Sequence, residues 1–117
     1  MKMTIQKATY TGKKTGVLLE VESASYFNDG LNNPNITVEG TPKSGVYLNR
    51  YSSNLEVKGT GVIHAEGSYG LWNSTTNGKI VVNEGVTVEA QTHAIYAEKG
   101  IIEINGGTFK LTNVATI

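Results

Sequence analysis

The chain has 117 residues, enough for one domain, and its ten basic and ten acidic side chains cancel, which removes the electrostatic basis for binding nucleic acid or anionic lipid. It contains no cysteine, so disulfides and thiolate metal sites are excluded, and no apolar run approaches the roughly 20 residues of a membrane-spanning helix. Gly supplies 14 residues and Pro only two, alongside abundant Thr, Asn and Ser, the composition of a chain with many tight turns.

In chain order, Met1 to Lys7 lacks the apolar core of a signal peptide, and Thr4 to Tyr10 is expected to form half a coil or a cap within residues 1–12. A small residue followed by an aliphatic and a bulky one then recurs as Gly16-Val17-Leu18, Gly45-Val46-Tyr47, Gly70-Leu71-Trp72 and Ala94-Ile95-Tyr96, with starts 29, 25 and 24 residues apart. Self-similarity at such a period marks a stacked array. A second run recurs as Ile36-Thr37-Val38, Leu55-Glu56-Val57, Ile80-Val81-Val82 and Ile102-Glu103-Ile104, each soon followed by glycine. A third, weaker run appears as Val62-Ile63-His64-Ala65, Val86-Thr87-Val88 and Phe109-Lys110-Leu111. Short alternating runs separated by Gly, Asn and Ser read as strands and turns, and no window carries the i, i+3, i+4, i+7 spacing of a helix. The fold expected is all-β: a single-stranded, right-handed parallel β-helix of about four coils with three short strands per coil. A β-sandwich or a propeller blade would favour hairpin turns, and the repeat order here fits coils better.

Residues 16–44 read as an irregular first coil, followed by regular coils over 45–69, 70–93 and 94–117. Sixteen residues (20–35) separate Leu19 from Ile36, against six between Leu48 and Leu55. That excess, with Tyr26, Phe27, Asn28-Asp29-Gly30 and Asn33-Pro34, is turn chemistry with two aromatic anchors, expected as a loop that either covers apolar surface or binds a ligand. Only seven residues separate Val38 from Val46, so the third strand of the first coil is expected to be missing. Val114-Ala115-Thr116-Ile117 resembles a strand entering another coil. Residues 1–117 are therefore expected to be a single β-helix domain cut from a longer solenoid, with unpaired end edges that favour end-to-end or homo-oligomeric association.

Alternation along strands points Val17, Val46, Leu71 and Ile95 inward, and with them Leu19, Leu48, Asn73 and Ala97. In the second strands the inward pairs are Ile36/Val38, Leu55/Val57, Ile80/Val82 and Ile102/Ile104. Asn73 is polar within an aliphatic column and must cap a turn or mark an early strand end. Asn83 and Asn105 are expected to stack, as a turn-stabilising ladder or a polar binding edge. On the outside, Tyr47, Trp72 and Tyr96 fall one above another with Leu18 below. This strip is the candidate binding site, offering aromatic area with polar tips to a glycan or a protein surface. The same rings can instead serve to stabilise adjacent coils by stacking.

Chemistry is sparse elsewhere. Asp29 is the only aspartate and Arg50 the only arginine. Glu56 and Glu103 point outward with Val81 between them, about 10 Å apart, and read as solvated charges rather than an acid–base pair. His64 and His93 occupy different coil positions and form no metal pair. No catalytic residue, metal ligand set or cofactor is therefore expected. Asn35-Ile36-Thr37 and Asn73-Ser74-Thr75 match the glycosylation pattern only inside strands, and Asn105-Gly106-Gly107-Thr108 precedes a strand rather than a phosphate-binding helix.

Gly70-Leu71-Trp72-Asn73, Ala94-Ile95-Tyr96-Ala97 and above all Ile102-Glu103-Ile104-Asn105-Gly106-Gly107-Thr108-Phe109 resemble coils of pertactin-like autotransporter passenger domains and pectin-lyase-like surface adhesins. The resemblance covers roughly residues 45–117. It implies a right-handed β-helix at the bacterial cell surface or secreted within a longer chain, acting as an adhesive or structural segment without catalysis. Its partner would be a glycan or a host or cell-surface protein, with no nucleic acid and no membrane insertion. A carbohydrate-binding or polysaccharide-cleaving β-helix, or a phage tail-spike-like segment, is the alternative.

Overall fold

The computed structural model describes residues 4–6, 9–21, 28–39, 44–50, 54–66 and 69–112. Among them there is no helix, and the strands in order are β1 (Thr4–Gln6), β2 (Thr9–Gly12), β3 (Val17–Val21), β4 (Asn28–Asn32), β5 (Asn35–Val38), β6 (Val46–Arg50), β7 (Asn54–Lys58), β8 (Gly61–Ala65), β9 (Tyr69–Val82), β10 (Val86–Ala90), β11 (His93–Ile104) and β12 (Thr108–Leu111). Every pairing is parallel, joining equivalent segments of successive coils. The chain is a parallel β-solenoid.

One face stacks β3, β6 and the first parts of β9 and β11, with Val17, Val46, Leu71 and Ile95 in register. A second stacks β1, β4, β7 and the later parts of β9 and β11. The third is a five-stranded sheet in the order β12-β10-β8-β5-β2. Three complete turns close between Val17 and Ile95, with partial turns on either side, rather than about four coils.

The first coil differs from its expected form. Asn28–Asn32 is a strand, pairing with β1 and β7, inside what the turn residues marked as a loop. Ile36-Thr37-Val38 lies on the third face against β8, so the third strand is present and the second was misplaced. The local sequence misleads because Leu31 is the only aliphatic residue of β4 (0 % exposed). Backbone pairing to strands on both sides holds a segment whose own β-propensity is poor. Tyr26 and Phe27 lie outside the described residues.

The inward columns are as the alternation predicts. Val46, Leu48, Val57, Leu71, Ile80, Val82 and Val88 are each 0 % exposed, and like side chains repeat every ~4.8 Å along the axis. The column opens most in the last described coil, with Ile104 at 48 % and Leu111 at 53 % exposure, and Val17 at the other end is only partly buried. Ala97, beside Asn73 in register, is likewise exposed.

Two recurring sequence features acquire physical causes. The turn from the second to the third face uses a left-handed residue in each coil: Asn33 (φ 50°), Gly59 (85°), Gly85 (93°) and Gly107 (97°). Glycine adopts that conformation without steric cost, and Asn is the usual substitute. The small residue before each first-face strand answers to close approach. A Cβ on Gly45 would strike Ile63 Cγ2 and lie 2.8 Å from the Gly70 carbonyl, and one on Gly70 would strike Val88 Cγ1 and lie 2.6 Å from the Ala94 carbonyl. Gly45→Ala should therefore lower stability by about 1–3 kcal/mol through overpacking, read as an earlier urea midpoint. An unchanged midpoint would mean that the coils separate at this corner.

Candidate functional site

The corner between the first and second faces positions the outer surface. Asn73, 0 % exposed, donates from Nδ2 to the carbonyls of Gly78 and Ile101 (3.0 Å each) and accepts from Thr75 N–H at 3.1 Å. It thus caps the turn inside its own coil and ties it to the next one. One coil later the register of β11 shifts between Ala97 and Ile101. Such irregularities re-aim side chains, and the Glu98 carboxylate there accepts a hydrogen bond from Trp72 Nε1 at 3.0 Å.

On the outer side of the first face, Tyr47, Trp72 and Tyr96 are register partners in three successive coils and all half-buried. Tyr47 and Trp72 stack with centroids 4.0 Å apart and planes 14° from parallel. Tyr96 follows at 6.1 Å, tilted by 34°. Two further rings join them. Tyr69 sits edge-on to Trp72 at 5.2 Å and tilted against Tyr96 at 4.5 Å, while exposed His93 lies 5.2 Å from Tyr69. The Ser74 hydroxyl lies 3.2 Å from the Tyr47 hydroxyl and 3.3 Å from the Leu48 carbonyl and Asn49 Oδ1.

Sequence reasoning missed Tyr69 and His93 because strict alternation puts residues i and i+3 on opposite sides. Parity breaks at the start of β9, where Gly70 and Leu71 are both buried while Tyr69 and Trp72 are both partly exposed. The readable signal was a ring three residues ahead of another ring in consecutive coils, Tyr69 before Trp72 and His93 before Tyr96.

The geometry fixes what the patch can offer. The facing planes of Tyr47 and Trp72 are spent on each other, and the indole N–H and the Tyr47 hydroxyl are engaged by Glu98 and Ser74, so the ring edges are what this pair turns outward. A sugar lying flat on these inner ring faces would have to part the stack. A protein surface docking onto a ridge of ring edges would not.

The other expected residues fall elsewhere. Glu56 and Glu103 flank Val81 in register on the second face, each in an ion pair, Glu56 with Lys58 at 3.4 Å and Glu103 with Lys79 at 3.7 Å. Beside them runs the expected asparagine ladder: Asn105 Nδ2 donates to Asn83 Oδ1 at 3.2 Å, and Asn83 Nδ2 to Glu56 Oε2 at 2.7 Å. His64 lies on the third face with Nδ1 3.1 Å from Glu89 Oε1 and Nε2 3.8 Å from Glu66 Oε1, away from His93. Asp29 and Arg50 have backbones in β4 and β6, and their side chains lie outside the description.

The fold thus defines the chain as a parallel β-solenoid that bears an aromatic patch among the described residues. Comparison with protein-family models, with curated proteins and with solved structures found no match to it.

Proposed function

We propose that this chain is a non-catalytic, adhesive and structural segment of a bacterial cell-surface β-solenoid, akin to pertactin-like passengers and pectin-lyase-like adhesins, and that Tyr47, Trp72 and Tyr96, with Tyr69 and His93, contact a partner protein. The observation that carries this reading is the gathering of aromatic rings from consecutive coils onto one face. Surfaces rich in Trp and Tyr dominate binding energy because they bring large area at small entropic cost. A stiff solenoid holds such a patch without a loop having to order.

Binding of the labelled chain to intact animal cells, before and after protease or glycosidase treatment of those cells, tests the proposal. Protease should abolish binding and glycosidase should spare it. Trp72→Ala should weaken binding by about 2 kcal/mol or more, roughly thirtyfold, with the circular dichroism spectrum kept. Loss on glycosidase treatment would favour the carbohydrate-binding reading. A lowered melting temperature with binding unchanged would make the rings packing alone.

A further inference from the structure

Beyond the aromatic patch, we infer that the third face carries a binding site for Zn²⁺, with His64 and Glu66 as its protein ligands and Glu89 as the group that orients the imidazole. Along β8, Ile63 and Ala65 are each 0 % exposed, so alternation turns His64 and Glu66 together to the outer side. Glu89 comes from the next coil, as the register partner of His64 in β10. A carboxylate only accepts, so the 3.1 Å contact between His64 Nδ1 and Glu89 Oε1 makes Nδ1 the donor. In the neutral ring the lone pair then lies on Nε2. That nitrogen faces Glu66 Oε1 at 3.8 Å, beyond the reach of a hydrogen bond, about 2.7–3.2 Å. Two ligands each about 2.1 Å from one ion stand about 3.4 Å apart at the tetrahedral angle. A small rotation of the Glu66 side chain, itself 45 % exposed, brings the pair to that separation.

The surroundings favour a cation. Besides Glu66 and Glu89, Glu39 stands on this face, following Val38 as Glu66 follows Ala65, the register partner of Val38. Like charges in neighbouring strands are destabilising, and a divalent ion relieves them. Lys110 of β12 is the register partner of Glu89, yet no ion pair joins the two among the described residues. On the other side of His64 stands Thr37, which is uncharged. A carboxylate on the far ring nitrogen fixes the orientation of a metal-binding imidazole and raises its basicity. Imidazole paired with carboxylate suits Zn²⁺, whereas Ca²⁺ and Mg²⁺ take oxygen ligands. No three His, Asp or Glu side chains converge as a ligand set among the described residues, so the protein supplies two ligands and water completes the shell.

Calorimetric titration of Zn²⁺ into the untagged 117-residue chain reads the result. One saturable site should appear with Zn²⁺ and none with Ca²⁺ or Mg²⁺. In nitrogen NMR spectra Zn²⁺ should shift Nε2 of His64 and leave the His93 ring unmoved. His64→Gln should abolish uptake, while Glu66→Gln and Glu89→Gln should each weaken it about tenfold or more. All three should keep the circular dichroism spectrum, since these side chains lie on the outer surface. His93→Gln should leave uptake intact. Absence of Zn²⁺ uptake, or equal uptake of Ca²⁺, overturns the inference. So does uptake that survives His64→Gln, is lost with His93→Gln, or is untouched by Glu66→Gln or Glu89→Gln.

Discussion

Val82→Asp should remove a large share of the chain's stability at 25 °C and neutral pH, whereas Val81→Asp should leave it nearly unchanged. Val82 is 0 % exposed and sits in register between Val57 and Ile104 within the inner column. A carboxylate there has no partner, and its net penalty after relaxation is about 3–5 kcal/mol, against a total stability of about 5–15 kcal/mol for a domain. The neighbouring side chain points the other way. Val81 is only partly buried and lies between Glu56 and Glu103, so an added carboxylate meets like charges in water and costs about 1 kcal/mol or less. Denaturant unfolding of the two variants measures the contrast. Burial raises a carboxyl pKa above its unfolded value, so the folded state binds the extra proton and the Val82→Asp penalty should ease as pH falls. Ile104 belongs to the same column but is 48 % exposed, and Ile104→Asp should cost far less. Equal tolerance at 81 and 82 would mean that the register is displaced by one residue.

The second large effect belongs to Asn73. Its amide satisfies the Gly78 and Ile101 carbonyls and its oxygen satisfies Thr75 N–H. Asn73→Leu keeps the number and branching of its heavy atoms and suits an aliphatic column, so a purely space-filling role would predict a mild effect. The hydrogen-bonded corner predicts the opposite: buried backbone groups lose their partner, at about 1–3 kcal/mol each. The net loss in a thermal or urea melt should be about 3 kcal/mol or more. Asn73→Asp should be worse still, because a carboxylate accepts but cannot donate to two carbonyls. A stable Asn73→Leu would remove the corner from the list of what holds successive coils in place.

These positions show why part of the fold was readable and part was not. The columns Val46/Leu71/Ile95 and Leu55/Ile80/Ile102 repeat in sequence because like residues stack on like at a fixed rise, so periodicity alone gives their register. The glycines that open the first three repeats are readable for a similar reason: a carbonyl of the next coil occupies the space a Cβ would need. β4 was hidden because Asn28-Asp29-Gly30 carries turn chemistry, while its strand pairing is supplied by neighbours distant in sequence. That long-range term is invisible in a local window. The aromatic site was legible as the row Tyr47, Trp72 and Tyr96 from strand parity. Tyr69 and His93 were not, because strand parity breaks at the start of β9 and β11, where they stand. The engagement of Tyr47 with Trp72, which turns a stacking platform into a ridge of edges, depends on side-chain rotation that no alternation pattern encodes.

All of this rests on parallel stacking of successive coils, and one measurement addresses that directly: nuclear Overhauser contacts between β7 and the later part of β9 in the isotopically labelled chain. Parallel register places Leu55 opposite Ile80 and Val57 opposite Val82, so contacts should join Leu55 to Ile80 and Val57 to Val82. Contacts joining Leu55 to Val82 and Val57 to Ile80 would show an antiparallel hairpin arrangement and contradict the solenoid, and with it the aromatic patch.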